Sequence, residues 1–341
     1  METFSKSDRH TVVCLTPVKN EGWILERFLK CASLWADHII IADQGSIDNS
    51  REIALQFPKV FLIENTSTEF NEPERQQLLI EAAREKIPGS RLLMALDADE
   101  IPTANFMDSP EWQTALQAPM GTVLRLPKVA LRPDMSSYWV ELESAPFGFV
   151  DDGSPHQGEK IHSPRVPMPD LAPSIYGHDV KVMHYQYANW ERMQSKQRWY
   201  QCWEKLNCPE NRPSRIYRRY HHMYNISSDQ LYSIPENWFA RYAEQEIDMT
   251  TIWKDKIYWW DQTVLDLIEK HGAETFRRCA MWDVDWVALS QSINPNGSSS
   301  IYQDPRAQLE KAIHKWLSKT QPIHAKYYVR FVDQMLAFFG W

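Results

Sequence analysis

Apolar residues gather in near-continuous runs along the first hundred positions: TVVCLTPV (11–18), HIIIA (38–42), KVFLI (59–63) and RLLMAL (91–96). Runs of this kind, without strict alternation, suit parallel strands covered on both faces. Between them the apolar positions recur at helical spacing. Ile24, Phe28, Cys31 and Trp35 form one stripe after Asn20 and Glu21, and Leu78, Leu79, Ala82 and Ala83 form another after Asn71, Pro73 and Glu74. Asn, Pro and Glu at those places are start signals, because they suit the free amides of a first helical turn. The series reads βαβαβαβ and predicts an α/β fold with a doubly wound, mostly parallel sheet, flanked by helices and joined by right-handed crossovers.

The pattern changes after residue 100. Proline and short strand-like pieces such as TVLRLPKVAL dominate 101–183, with a polar turn at Asp151-Asp152-Gly153; loops and an antiparallel extension are expected there. From about 185 the chain is helical in pattern and rich in aromatics, as in NWERMQSKQRWYQCWEKL, NWFARYAEQE, WKDKIYWWDQTVLDLIEK and AKYYVRFVDQMLAFF. Two regions are therefore expected, an α/β domain over 1–184 and a mainly helical extension over 185–341. A length of 341 residues at 43% hydrophobic content is enough for a large core. The net charge of -8 argues against a general affinity for nucleic acid, whose backbone requires a basic surface. Five scattered cysteines with no CxxC spacing suggest neither a disulfide framework nor a zinc site and point to a reducing compartment. No apolar run approaches the roughly 20 residues that cross a bilayer, so a soluble, cytoplasmic chain is expected. Most tryptophans fall at helical spacing and read as core, although Trp259 and Trp260 cannot share one helix face. The closing AFFGW is expected to dock on the protein itself or on a second subunit rather than on a membrane, because the preceding helix lacks a dense basic face.

In an open α/β sheet, ligands bind beyond the carboxyl ends of the strands. Polar clusters follow the strands on that side: Pro17-Val18-Lys19-Asn20-Glu21 after the first, Asp43-Gln44-Gly45-Ser46-Ile47-Asp48 after the second, and Asp97-Ala98-Asp99-Glu100 after the fourth. The first turn, TPVKNEG, holds one glycine, Gly22, in the wrong place for a dinucleotide fingerprint. Bound phosphate would then need another counter-charge, and a divalent cation on Asp97 and Asp99 is the natural device. The plainer alternative is a solvated strand end. Lys19, Asn20 and Glu21 also suit a helix start, and Asp48 reads as an N-cap.

The stretches VVCLTPVKNEG (12–22), DHIIIADQGSIDNSREIA (37–54) and LLMALDADE (92–100), in this order and spacing, resemble the family 2 glycosyltransferases of the GT-A fold, within the nucleotide-diphospho-sugar transferase superfamily. The resemblance spans roughly 10–105. It implies a nucleotide-diphosphate-sugar donor of the UDP-hexose type, an Mn2+ or Mg2+ ion, inversion at the anomeric carbon, and a catalytic domain over 1–184 with its donor half at 10–105 and its acceptor and base region at 106–184. Carried onto this sequence, it places Pro17, Lys19 and Glu21 beside the nucleoside, Asp43 by the base, Arg75 with the donor, Asp97 by ribose or metal, and Asp99 on the metal. Gln44 departs from the Asp or Ser of many relatives. The base for the acceptor hydroxyl is expected at Asp151 or Asp152, with Glu141 and Glu143 behind them. His184, then His178, would complete the metal shell. His162 and Arg165 would touch phosphate or acceptor, and the segment of Arg212, Arg215, Arg218 and Arg219 would close over the diphosphate. A glycan, lipid-linked, protein or small-molecule acceptor, a homodimer through the carboxyl-terminal helices and peripheral attachment to a membrane are compatible with the resemblance. The competing readings are a nucleotidyltransferase, which would want a glycine-rich, arginine-bearing first loop, and a non-catalytic nucleotide-sugar or carbohydrate-binding protein.

Overall fold

Each apolar run of the first hundred residues forms a strand: β1 (Thr11–Val18), β2 (His38–Asp43), β3 (Val60–Glu64) and β4 (Arg91–Ala95). They pair in parallel in the order β3-β2-β1-β4. This is a computed structural model, and it describes residues 9–67, 71–159, 163–295 and 299–341. The intervening helices are α1 (Leu25–Trp35), α2 (Ser50–Ala54) and α3 (Glu72–Lys86). The runs are continuous because both faces of the sheet are used. Cys14, Ile39, Ile41 and Leu92 pack in one core with Phe28, Leu29 and Cys31 of α1, whereas Val13, Leu15, Ile40 and Leu93 pack in another with Leu79, Ile80 and Ala83 of α3. Alternate residues of one strand thus serve opposite layers. The start of α3 is where its sequence placed it: Asn71 accepts the Glu74 N–H and proline occupies the first turn.

The sheet then continues with β5 (Glu100–Pro102), α4 (Pro110–Leu116), β6 (Val123–Leu131), β7 (Ser137–Val150), β8 (Ser174–Tyr176) and β9 (Val182–His184). β7 runs antiparallel to both β4 and β6, β9 lies parallel to β6, and β5 closes antiparallel on β9. The remaining elements are α5 (Trp190–Asn207), α6 (Pro213–Tyr220), β10 (Tyr232–Ser233), α7 (Ala240–Ala243), α8 (Trp259–His271), α9 (Trp286–Ile293), α10 (Gln308–Thr320) and α11 (Tyr327–Phe338). The fold is therefore α/β, a sheet flanked by helices, with a mainly helical carboxyl-terminal region.

Two compact units result, Met1–Asn189 with Tyr232–Trp253, and Trp190–Leu231 with Lys254–Trp341. The return of 232–253 to the sheet has a local cause. β10 pairs with β7, Trp238, Tyr242 and Met249 join the buried core, and the Tyr242 hydroxyl donates to the Pro102 carbonyl at 2.8 Å. NWFARYAEQE consequently breaks into the end of a 3-10 turn (Glu236–Trp238) and the single turn of α7, although its pattern suggested a longer helix. Within the second unit the closing residues dock in part: Trp341 is buried with Tyr217, Ile313 and Leu317 and its carbonyl accepts from Ser214, while Phe338 and Phe339 stay exposed. No helix of the described residues is long and apolar enough to cross a membrane.

Candidate functional site

The strand register brings the polar clusters to one edge. Val18 lies level with Asp43, Asp43 with Glu64, and Leu15 with Ala95, so the loops after β1, β2 and β4 leave the sheet side by side. The first two are stitched together. Asn20 N–H donates to Ser46 Oγ (2.9 Å) and its side chain accepts from Ile47 N–H (2.8 Å), Glu21 N–H donates to Ser50 Oγ (2.9 Å), and Gly22 N–H donates to Asp48 (2.9 Å). An added Cβ at Gly22 would come within 2.0 Å of Asn49 Oδ1, so the Asn49 side chain would have to move to admit a larger residue. Asn20 itself takes a left-handed φ of 55°, which asparagine tolerates better than most residues. Asp48 accepts from Ser50 N–H at 3.0 Å, a cap-like bond made one residue before the helix's formal cap, Asn49.

Asp43 is buried, accepts from Ser46 N–H and is paired with Arg51 at 2.8 Å. Glu21 accepts from the Trp23 indole at 2.7 Å. Pro17 and Lys19 are half-buried on the same rim, and Arg75 is half-buried in the first turn of α3.

The acids after β4 form a denser arrangement. Glu100 opens β5 and lies level with His184 of β9, which in turn lies level with Ala130 of β6. This pairing brings His184 Nε2 to 3.7 Å from Asp99 Oδ2, while His184 Nδ1 sits 2.7 Å from Glu141 of β7. An ionised carboxylate only accepts, so the Glu141 bond places a proton on Nδ1 and leaves Nε2 as the ring atom turned to Asp99. The Lys128 ammonium of β6 lies 2.7 Å from Glu100 and 3.7 Å from Glu141. Burial would lower the lysine, but Glu141, Asp97 and Asp99 outweigh it and hold the ammonium above its ordinary value, so it stays charged. Arg165 donates to Asp97 at 2.6 Å and to Glu100. Asp97, Asp99, Glu100 and Glu141 thus share the fixed cations Lys128 and Arg165.

Sequence reasoning brought together Asp97, Asp99, His184 and Arg165 and held Glu141 in reserve, but it missed Lys128. The available signal was a lone lysine inside the apolar run LRLPKVAL, since a lysine is seldom fully buried without a partner. Among the described residues, no group of three or more His, Cys, Asp or Glu side chains is arranged to hold a metal ion. Asp99 and His184 face each other, whereas the Asp97 carboxylate is turned to Arg165.

Asp151 and Asp152 are not brought to this cluster. Asp151 N–H donates to the carbonyl of Arg91, the first residue of β4, six positions before Asp97 and about 20 Å away at the rise of a strand. β7 runs antiparallel to β4, and its end therefore lands at the opposite edge of the sheet. There the Asp151 carboxylate binds Arg84 at 2.7 Å and Arg91 at 2.8 Å. Burial opposes ionisation, but the two guanidiniums prevail and hold its carboxyl below the ordinary carboxylate range. The exposed Asp152 closes a turn by accepting from Ser154 N–H. Glu143 is exposed on β7, and His178 is exposed before β9. In the second unit, Arg218 is paired with Asp333 at 3.0 Å and Arg219 with Glu204 at 2.6 Å, while Arg212 and Arg215 are exposed. His162 lies outside the described residues.

No protein family matches the chain, and neither does any curated protein. Solved structures do. One is described as a mycobacterial protein, with 18% identity over 38% of this chain and 43% of that one at a TM-score of 0.28. A second is glucosyl-3-phosphoglycerate synthase from Mycobacterium tuberculosis in complex with Mn2+, UDP and glucosyl-3-phosphoglycerate, with 17% identity over 37% and 45% of the two chains at a TM-score of 0.27. The same enzyme with Mg2+ and UDP gives 15% identity over 37% and 45% at 0.27. The chain spans less than half the length of each of these structures.

Proposed function

We propose that the chain is a metal-dependent glycosyltransferase of the hexosyltransferase type, moving a sugar from a nucleotide-diphosphate donor, UDP-hexose first, to an acceptor hydroxyl with inversion. The observation that carries this reading is the Asp99–His184 pair at 3.7 Å, oriented by Glu141 at 2.7 Å, on the sheet edge that also carries Asp43 and Asp97. The Asp99 carboxylate is an oxygen ligand suited to Mn2+ or Mg2+, and the imidazole, its far nitrogen held by a second carboxylate, adds a nitrogen ligand that Mn2+ accepts more readily than Mg2+. Few protein ligands suffice, because such ions are commonly held by one or two side chains and completed by water and substrate phosphate. When bound, the ion supplies Lewis-acid stabilisation of the departing diphosphate.

The chain's own residues do the rest. Glu141 fixes the His184 tautomer. Lys128 and Arg165 supply fixed positive charge among the neighbouring acids. Asp97 serves the ribose while Arg165 holds it, and the stitched loops after β1 and β2 fix Asp43 for the base, with Pro17, Lys19, Glu21 and Arg75 lining the donor side. The acceptor base falls to Glu143, a carboxylate with no ion pair among the described residues, since Asp151 is locked at the far edge.

Thermal unfolding measured with UDP-glucose, with Mn2+ and with both tests the reading. Stabilisation that needs both components, disappears with a chelator, and is lost in Asp99→Asn and His184→Ala is the expected result, followed by UDP release when acceptors are added. Pyrophosphate release from a nucleoside triphosphate and a sugar phosphate would replace the reading with a nucleotidyltransferase. Donor binding without turnover across an acceptor panel would leave a binding protein.

A further inference from the structure

The second unit contains a cleft of about 630 Å³, a size usual for small-molecule sites and built from none of the motifs at the sheet edge. Its walls come from α5, α6 and the turn after it, the loop around Ala280, and α10. One wall is a stack of rings. His221 lies flat on Tyr217, with 3.9 Å between centroids and 4° between planes, and Tyr224 continues the stack at 5.9 Å and 24°. The stack is held by a 2.8 Å hydrogen bond between His221 Nδ1 and the Tyr217 carbonyl, and burial pushes the imidazole down to about 4, so the wall is uncharged at neutral pH.

The floor is α5, where Gln197 and Gln201 stand one turn apart. Gln201 is used by the fold: its amide accepts from Ala280 N–H at 3.1 Å and donates to the Ala280 carbonyl at 3.2 Å. Gln197 is not. It is 7% exposed, and its buried Oε1 has no hydrogen-bond partner among the described residues. A buried amide oxygen left in that state costs stability unless a bound molecule supplies a donor.

Cations surround the cleft of a chain whose net charge is -8. Arg198 is held by Asp283 at 2.7 Å, and Arg306 by Asp304 at 2.9 Å. Lys315, exposed on α10, has no ion pair among the described residues.

We infer that this cleft binds an acidic saccharide, a hydroxylated ring carrying one carboxylate or phosphate. Each part answers a feature of the walls. The apolar carbon-bound face of a pyranose lies against Tyr224, the ring of the stack that is 42% exposed. A hydroxyl both donates and accepts, so it pairs with whichever end of the Gln197 amide faces the cleft. The acidic group meets Lys315. A neutral sugar leaves the cation unmatched, and a bare anion leaves Gln197 and the rings unmatched. The inference does not depend on sugar transfer at the sheet edge.

Calorimetric titration of the full chain with D-glucuronate, glucose 6-phosphate, glucose, inorganic phosphate and uridine 5′-monophosphate tests it. One or both acidic sugars bind, with glucose and phosphate roughly tenfold weaker or worse. Lys315→Glu weakens that binding by about tenfold; the residue is exposed, so the fold is kept. Gln197→Leu also weakens it while leaving the unfolding temperature equal or higher, because the unsatisfied amide is gone. Asp99→Asn retains binding, which separates this site from the sheet edge. The inference is overturned if neither acidic sugar binds at about 10 mM, roughly ten-thousandfold above a micromolar dissociation constant. It also fails if phosphate binds as well as they do, or if the nucleotide binds more tightly.

Discussion

Asp151 and Asp99 flank one sheet and are almost equally buried, at 2% and 4% exposure, yet their surroundings differ. Asp151 lies between two guanidiniums, at 2.7 Å and 2.8 Å. A guanidinium is permanently charged and presents a rigid fork of donors, so the Arg84 and Arg91 contacts occupy the carboxylate's acceptor sites. Asp99 faces an imidazole nitrogen at 3.7 Å, too far for a hydrogen bond, while the nearby Lys128 ammonium forms its close ion pair with Glu100 at 2.7 Å. One carboxylate is saturated by its fold and the other keeps coordinating capacity. Burial alone therefore does not distinguish the two carboxylates; the counter-group does, and the metal role proposed for Asp99 rests on that difference.

Substitutions at the two sites should part company accordingly. Asp99→Ala is expected to lower sugar transfer by about a thousandfold, the equivalent of several kcal/mol of lost charge stabilisation, with little change in the denaturant midpoint. Retained transfer would merge the two sites into one structural class. Asp151→Ala should do the reverse. It strands Arg84 and Arg91, whose side chains are 23% and 15% exposed, and removing one partner of a buried pair costs about 3 kcal/mol at the lower end of its range. Urea unfolding reads that loss. Activity per folded molecule should be unchanged, and a collapse of activity in folded Asp151→Ala would return a catalytic role to that end of β7.

Much of this contrast was hidden in the sequence for a topological reason. The span of β1, Thr11–Val18, coincides with its apolar run, and the start of α3 coincides with Asn71 and Pro73, because strand burial and helix capping are decided by residues near in sequence. The convergence of Asp43 and Asp97 on one edge followed from the parallel order of β1, β2 and β4. Asp151 was misplaced because DDG announces a turn without saying where the turn lands. That depends on β7 pairing antiparallel with β4 over Leu92–Val150 to Met94–Gly148, a contact between segments more than fifty residues apart. The same holds for Glu141, whose place beside His184 arises from the β6–β7 pairing and its register shifts. The α7 segment shows tertiary contacts overriding helical periodicity, since Tyr242 is drawn to the Pro102 carbonyl.

A milder change sharpens the comparison from the functional side. Glu141→Gln still accepts from His184 Nδ1 but loses the negative charge behind the ring. Loss of such a partner typically weakens metal binding ten- to a hundredfold, and the retained hydrogen bond puts the expectation near the lower figure, about tenfold. Mn2+ titration followed by electron paramagnetic resonance measures it directly, without reliance on turnover. An unchanged affinity would mean that Glu141 serves Lys128 rather than the imidazole.

The smallest expected effect is a difference in acid response. The folded protein holds Asp151 ionised below the ordinary carboxylate range, with burial opposing and Arg84 and Arg91 prevailing. As pH falls below about 4, the unfolded chain takes up the proton first. The native state then binds fewer protons, and stability declines with falling pH until the depressed native value is passed. Wild type should therefore exceed Asp151→Asn in stability by a constant margin at neutral pH, and the margin should shrink only in that acidic window. A margin that shrinks already between pH 5 and 7 would show that the two arginines do not hold this carboxyl down, and the contrast between the two edges would lose its electrostatic basis.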